Sequence, residues 1–116
     1  MSIAPFGVTI DAHDAAAVAS FWAGALGRSV ADGASETQAA VEADPGIPGS
    51  RLGFRQVPED KKVKNRMHFD FVNPDFDAEL ERLTGLGATK LAEANPGFRY
   101  ATLADPEGNE FDVIAG

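Results

Sequence analysis

The sequence predicts an α+β fold made of two similar halves, and three observations carry that prediction. Residues 6–11 and 67–72 each alternate apolar with small or polar side chains, the period of a half-buried strand. Each of these segments leads into an aspartate and then an apolar stripe at helical spacing, and Gly7 stands to Asp14 as His68 stands to Asp75. Each half then continues through strand-like segments punctuated by turn residues, so the order reads βαβββ twice.

In the first half, Phe6, Val8 and Ile10 form one side of the opening strand. Asp14 is a helix N-cap residue, because its carboxylate can accept from an unpaired backbone N–H of the first turn. Val18, Phe21, Trp22, Ala25 and Leu26 follow at helical spacing, and Gly27 stands where a left-handed C-cap is expected. Residues 29–31 and 36–41 read as two short strands, and residues 52–57 as a stronger one stopped by Pro58. A charged loop runs on through Asn65.

The second half opens with the strand over 67–72, and Asp75 offers a second cap. Phe76, Leu80, Leu83 and Leu86 form an apolar helical stripe that ends at Gly87. Residues 89–92 and 98–103 read as strands, and Asp105-Pro106-Glu107-Gly108-Asn109 is turn chemistry leading into a last strand over 110–114. Residues 1–116 are read as one domain, with module one over about 5–58 and module two over about 66–115.

Hydrophobic residues make up 44% and charged residues 24%, which is globular composition rather than that of a disordered chain. Ten basic against 18 acidic residues give a net charge of −8, a field that repels phosphate backbones and anionic lipid. The cluster Lys61, Lys62, Lys64 and Arg66 follows Glu59 and Asp60, lacks interleaved aromatics and reads as a solvated loop. Neither nucleic acid nor membrane is expected as a partner. The absence of cysteine excludes disulfides, Cys-ligated zinc and thiol nucleophiles. The opening Met-Ser-Ile-Ala-Pro has no basic and apolar leader pattern, and no apolar run reaches membrane-spanning length, so a cytoplasmic location is expected. No Gly-rich phosphate loop precedes a helix and no nucleophile motif is recognisable. General acid or base work by His68, paired with Asp70 or Asp112, is the chemistry that remains.

Four stretches, in their order and spacing, resemble the glyoxalase-like domains of the vicinal oxygen chelate superfamily. They are Asp14 through Phe21-Trp22 to Leu26-Gly27, Lys64-Asn65-Arg66-Met67-His68-Phe69-Asp70, Leu86-Gly87-Ala88-Thr89, and Asp105-Pro106-Glu107-Gly108-Asn109-Glu110-Phe111. The resemblance implies two βαβββ modules forming a curled, cup-shaped mixed sheet with helices on the outer face. It also implies a small-molecule ligand in the cup and, with apolar edge residues such as Phe98 and Tyr100 leaving sheet surface to cover, a homodimer. In metal-using members, four side chains from the first and last strands of the two modules hold one divalent ion against adjacent substrate oxygens. The superfamily holds isomerases, lyases, dioxygenases and antibiotic-binding resistance proteins, so the resemblance does not choose a reaction.

Strand alternation indicates which side chains enter the cup. With Met67, Phe69 and Phe71 turned to the helices, His68, Asp70 and Val72 face inward; with Phe111 and Val113 outward, Glu110 and Asp112 face inward. His68 and Asp112 match the family's ligand positions. In the first half Gly7, Thr9 and Asp11 face inward, as do Arg51, Gly53 and Arg55, so the two matching ligand positions are glycines, which would leave the cup roomier.

The resulting expectation is a ligand-binding cup with His68 and Asp112 as its functional centre and Thr9, Asp11, Arg51, Arg55, Asp70, Tyr100 and Glu110 lining it. No cofactor is expected, and any divalent metal would be weak or absent, held if at all on His68 and Asp112, since a stable site takes three or four donors and Asp11, Asp70 or Glu110 could add a carboxylate only away from the family's ligand positions. The alternatives are a metal-dependent lyase, isomerase or dioxygenase using those two residues, or a resistance-type binder of a cationic drug, which the −8 charge favours. Each residue also has a structural reading: His68 hydrogen-bonded to Asp70 or Asp112, Asp70 paired with Arg66, and Glu110 or Asp112 neutralised by Arg51, Arg55 or Arg66. On that reading Arg99 and Tyr100 are rim residues and His13 is solvated.

Overall fold

The computed structural model describes residues 2–116 and is α+β, in the order β1 (Gly7–Ala12), α1 (Ala15–Leu26), β2 (Gln38–Val41), β3 (Arg51–Gln56), β4 (Asp70–Asn73), α2 (Phe76–Leu86), β5 (Thr89–Ala94), β6 (Tyr100–Ala104) and β7 (Glu110–Ala115). The chain forms two compact units, Met1–Asp60 and Lys61–Gly116.

The first unit carries a three-stranded sheet in the order β1-β3-β2, with β1 parallel and β2 antiparallel to β3. Asp14 Oδ1 accepts the Ala17 N–H at 3.2 Å and starts α1, while Gly27 (φ 65°) ends it with its N–H on the Ala23 carbonyl. The helix buries Ala15, Val18, Ala19, Phe21 and Trp22, and Leu52, Phe54, Ala39 and Val41 of the sheet are buried with them. Each large apolar side chain withdrawn from water in this way contributes about 1.5–3 kcal/mol. The two short strands expected over 29–31 and 36–41 are smaller than predicted. The first contracts to a bridge of Val30 to Val41 and the second to β2, because Asp32-Gly33, with Gly33 at φ 87°, turns the chain before a longer ladder can form. Phe6, expected on the helix side, lies before β1 and is 79% exposed.

The second unit carries a four-stranded sheet in the order β4-β7-β6-β5, again with its first strand parallel to its last. Phe71, Val113, Phe111, Ala101 and Leu103 occupy one face by register, and of these Val113, Phe111, Ala101 and Leu103 are buried, as are Phe76, Leu80 and Leu83 of α2. The Phe71 and Phe111 rings meet edge-on at 6.0 Å. Leu86, the last residue of the expected stripe, is 43% exposed.

β4 begins at Asp70 rather than at Met67, which is 85% exposed, although the ladder reaches back one residue through the Asp112 N–H on the Phe69 carbonyl. Asp75 makes no side-chain cap: its own N–H is held by Asn73 Oδ1 at 2.8 Å, and Asn73 Nδ2 donates to Glu79, so Asn73 organises the start of α2. Among the described residues no helix is long and apolar enough to cross a membrane.

Candidate functional site

On the face of the second sheet opposite Phe71, Phe111 and Leu103, register sets Asp70, Asp112 and Thr102 side by side, as Cα partners across β4, β7 and β6. His68, two residues before Asp70 and so of the same parity, turns its ring into this row. Its Nδ1 lies 3.0 Å from Asp70 Oδ1 and 4.0 Å from Asp112 Oδ2. Thr102 Oγ1 donates to Asp112 Oδ1 at 2.7 Å. One donor atom each from His68, Asp70 and Asp112 lies within 4.8 Å of the other two.

The charge balance of this row is unusual. Two carboxylates that are partners across a ladder repel, by up to about 1 kcal/mol where both are partly open to solvent. Among the described residues no Lys or Arg pairs with either, and Asp70 takes His68 rather than the expected Arg66. The donor set suits a divalent cation: one imidazole and two carboxylates are a nitrogen and oxygen set of the kind that Mn²⁺ or Fe²⁺ accepts. Donor atoms around such an ion, each about 2.1 Å from it, stand roughly 3–4 Å apart, close to the separations around His68 Nδ1.

One row further along the strands, about 7 Å away by strand rise, Val72, Ile114 and Tyr100 are Cα partners in the same sense. Val72 is 68% exposed, and the Tyr100 ring packs on that of Phe98, itself 53% exposed, with centroids 5.6 Å apart. The polar row is thus bordered by apolar side chains open to solvent.

Glu110 lies on the same face, but its carboxylate is engaged by Lys61 Nζ at 2.8 Å and by the Asn65 N–H at 3.3 Å. Burial raises its affinity for a proton, and the bonds from Lys61 and backbone N–H groups outweigh that, so its pKa lies below the ordinary 4.5. Its cationic partner is therefore Lys61, not one of the three expected arginines. Arg99 is clamped between Asp77 (2.8 Å) and Glu93 (3.0 Å) over the Phe76 ring.

The remaining predicted site residues belong to the first unit. Thr9, Asp11, Arg51 and Arg55 share one face there, Thr9 opposite Gly53 and Asp11 opposite Arg55. Gly7 and Gly53 do not leave the empty volume expected of them. A Cβ on Gly7 would stand 2.5 Å from the Arg51 carbonyl oxygen, and one on Gly53 would meet Arg51 Nη1 and Thr9 Oγ1, each at 3.2 Å. Gly7 is there for close backbone approach, and Arg51 and Thr9 fill the space beside Gly53. The first unit also holds an open cavity of 470 Å³ lined by His13, Glu36, Gln56, Val57 and Pro58. Its polar groups are bonded to one another and to the adjoining loop: Gln56 Nε2 donates to the His13 carbonyl, and His13 Nε2 meets the Glu59 carbonyl and Asp60.

Thr102 and Lys61 are the contacts the sequence reading missed. Thr102 was accessible in principle, because a hairpin closed at Asp105-Pro106-Glu107-Gly108-Asn109 pairs Ala104 with Glu110 and so Thr102 with Asp112. Lys61 reaches Glu110 from a loop, and no local pattern encodes that.

No curated protein matches the chain. In structure it is similar to a glyoxalase/bleomycin resistance protein/dioxygenase family enzyme from Burkholderia phytofirmans PsJN, at 21% identity and TM-score 0.72 over 96% of this chain and 98% of that one. It is also similar to a variant of the fosfomycin resistance protein FosX from Listeria monocytogenes, solved with Mn(II) and a dihydroxypropylphosphonic acid (16% identity, TM-score 0.77, 100% of this chain and 92% of that one). The oxidase ChaP-H2 is a third such structure (24% identity, TM-score 0.70, 100% and 95%). At these identities the likeness speaks for the fold, and their differing activities leave the reaction open. The sequence model of the glyoxalase-like domain matches residues 7–114, through both units, and the chain therefore belongs to the glyoxalase-like domain family.

Proposed function

We propose that this protein binds a small organic ligand at the His68–Asp70–Asp112 row, with those three side chains holding a divalent cation against the ligand's oxygens. The observation that carries the reading is the Cα pairing of Asp70 with Asp112, two adjacent carboxylates balanced by no Lys or Arg among the described residues. Asp70 supplies the third donor that a count of His68 and Asp112 alone lacks. The cation would supply Lewis-acid stabilisation of negative charge on ligand oxygens. His68 and the carboxylates orient it, and Val72, Ile114 and Tyr100 accept the ligand's apolar part. With side chains 35%, 54% and 21% exposed, the site is open, which fits weak, exchangeable binding. The Mn(II) in the Listeria relative is consistent with the same donor class.

A second reading is favoured by the same unbalanced charge: without metal, the carboxylate pair would attract a cationic ligand, as in a drug-sequestering protein. One experiment separates the two. Titration of chelator-stripped protein with MnCl₂ should show one saturable site per chain, weakened at least about tenfold, or 1.4 kcal/mol, by His68→Ala. Asp60→Ala, in the charged loop, should leave it within about twofold. Absence of Mn(II), Fe(II) and Zn(II) binding would discard the cation reading in favour of the second. We further read residues 1–116 as one functional domain, supported by the single family match across both units, acting as a cytoplasmic homodimer.

A further inference from the structure

We infer that Thr102 is the positioning residue of this site: it pins Oδ1 of Asp112 and so presents Oδ2 as the single ligand oxygen. The inference rests on the cation reading above. An ionised carboxylate only accepts, so the 2.7 Å contact has the Thr102 hydroxyl donating its one proton to Asp112 Oδ1. Oδ2 is left facing His68 Nδ1 at 4.0 Å, too far for a hydrogen bond but within the span of two donors on one ion. Without that bond an aspartate side chain on an open strand face would rotate about χ2, whose preference is broad.

The backbone around the pair is fixed. Thr102 lies between Ala101 and Leu103, both fully buried, and β6 is held in register with β7 from Tyr100–Ile114 to Ala104–Glu110. The hydroxyl is therefore delivered from a rigid strand, while Asp70 on the other side of Asp112 is tied only to His68 among the described residues. The row works as an ordered unit: Thr102 fixes Asp112, and His68 with Asp70 completes the donor set. Partners of metal-ligating carboxylates are typically worth ten- to a hundredfold in metal affinity.

The test compares Mn(II) binding to chelator-stripped wild type, Thr102→Val and Thr102→Ser, by calorimetry and by the electron paramagnetic resonance of free Mn(II). Each protein's metal-induced rise in melting temperature is taken against its own metal-free value, which separates positioning from general stability. The expected result is affinity at least about tenfold weaker and a smaller metal-induced rise for Thr102→Val, with Thr102→Ser within about threefold of wild type. Thr102→Ala carries the same test should the valine variant fail to fold. Wild-type affinity in Thr102→Val, or equal losses in the valine and serine variants, would overturn the role of the hydroxyl while leaving the cation site standing. No Mn(II) binding to wild type would overturn both.

Discussion

Replacing either carboxylate of the Asp70–Asp112 pair removes a repulsion as well as a ligand, so stability and cation binding should respond in opposite directions. Asp70→Asn and Asp112→Asn keep side-chain shape, and the asparagine oxygen at 112 can still accept from Thr102, which bonds that residue at 2.7 Å in the wild type. The metal-free variants should melt no lower than wild type, with a gain of up to about 1 kcal/mol, because like charges across a ladder are destabilising. Their Mn(II) affinity should fall at least about tenfold, since a neutral amide is a poor replacement for a carboxylate on a hard cation. A purely structural network would give the reverse, lower stability with no metal effect to lose. Parity put His68, Asp70 and Asp112 on one face of the sheet, and they do lie side by side there. That Asp70 stands directly opposite Asp112 was not legible, because it depends on the register of two strands far apart in sequence, which no local pattern encodes.

At the scale of elements, the sequence located both helices and all the strands of the second half, yet treated their two starts as equivalent. Asp14 and Asp75 stand at matching places, and only Asp14 places its carboxylate on a first-turn N–H. The difference lies two residues before Asp75, where Asn73 takes the Asp75 N–H on its Oδ1 and donates from Nδ2 to Glu79, so the start of α2 is tied down without a carboxylate cap. Asp14→Ala should therefore cost about 1 kcal/mol, and Asp75→Ala appreciably less, as read from the midpoints of urea unfolding at constant slope. Equal losses would place a capping bond at Asp75 after all. The weak prediction over 29–31 has a different cause: three residues before a glycine turn cannot gain enough ladder bonds to outweigh chain ordering, so the strand survives only as the Val30 bridge.

For the whole molecule, the two halves are topological repeats whose chemistry has diverged. In each unit the first strand runs parallel beside the last, and Thr9 pairs with Gly53 as Asp70 pairs with Asp112, so the row that carries charge in the second unit is nearly bare in the first. Large apolar side chains are nevertheless left in water in both: Ile3 is 100%, Phe6 79%, Val63 78% and Met67 85% exposed. Singly such residues are ordinary, and in the proposed homodimer they are the side chains that association would cover. The proposed homodimer must form against the repulsion between two chains of net charge −8. Sedimentation at tens of micromolar should therefore give a mass of about twice 12.2 kDa, and raising NaCl to about 0.5 M should shift the equilibrium further toward the dimer as the repulsion is screened. Phe6→Ser and Met67→Gln should each move it toward the monomer without lowering the melting temperature of the dilute chain. A single species of 12.2 kDa at every concentration and salt would rule the dimer out, and dissociation by salt would mean that ion pairs, not these apolar side chains, hold the copies together.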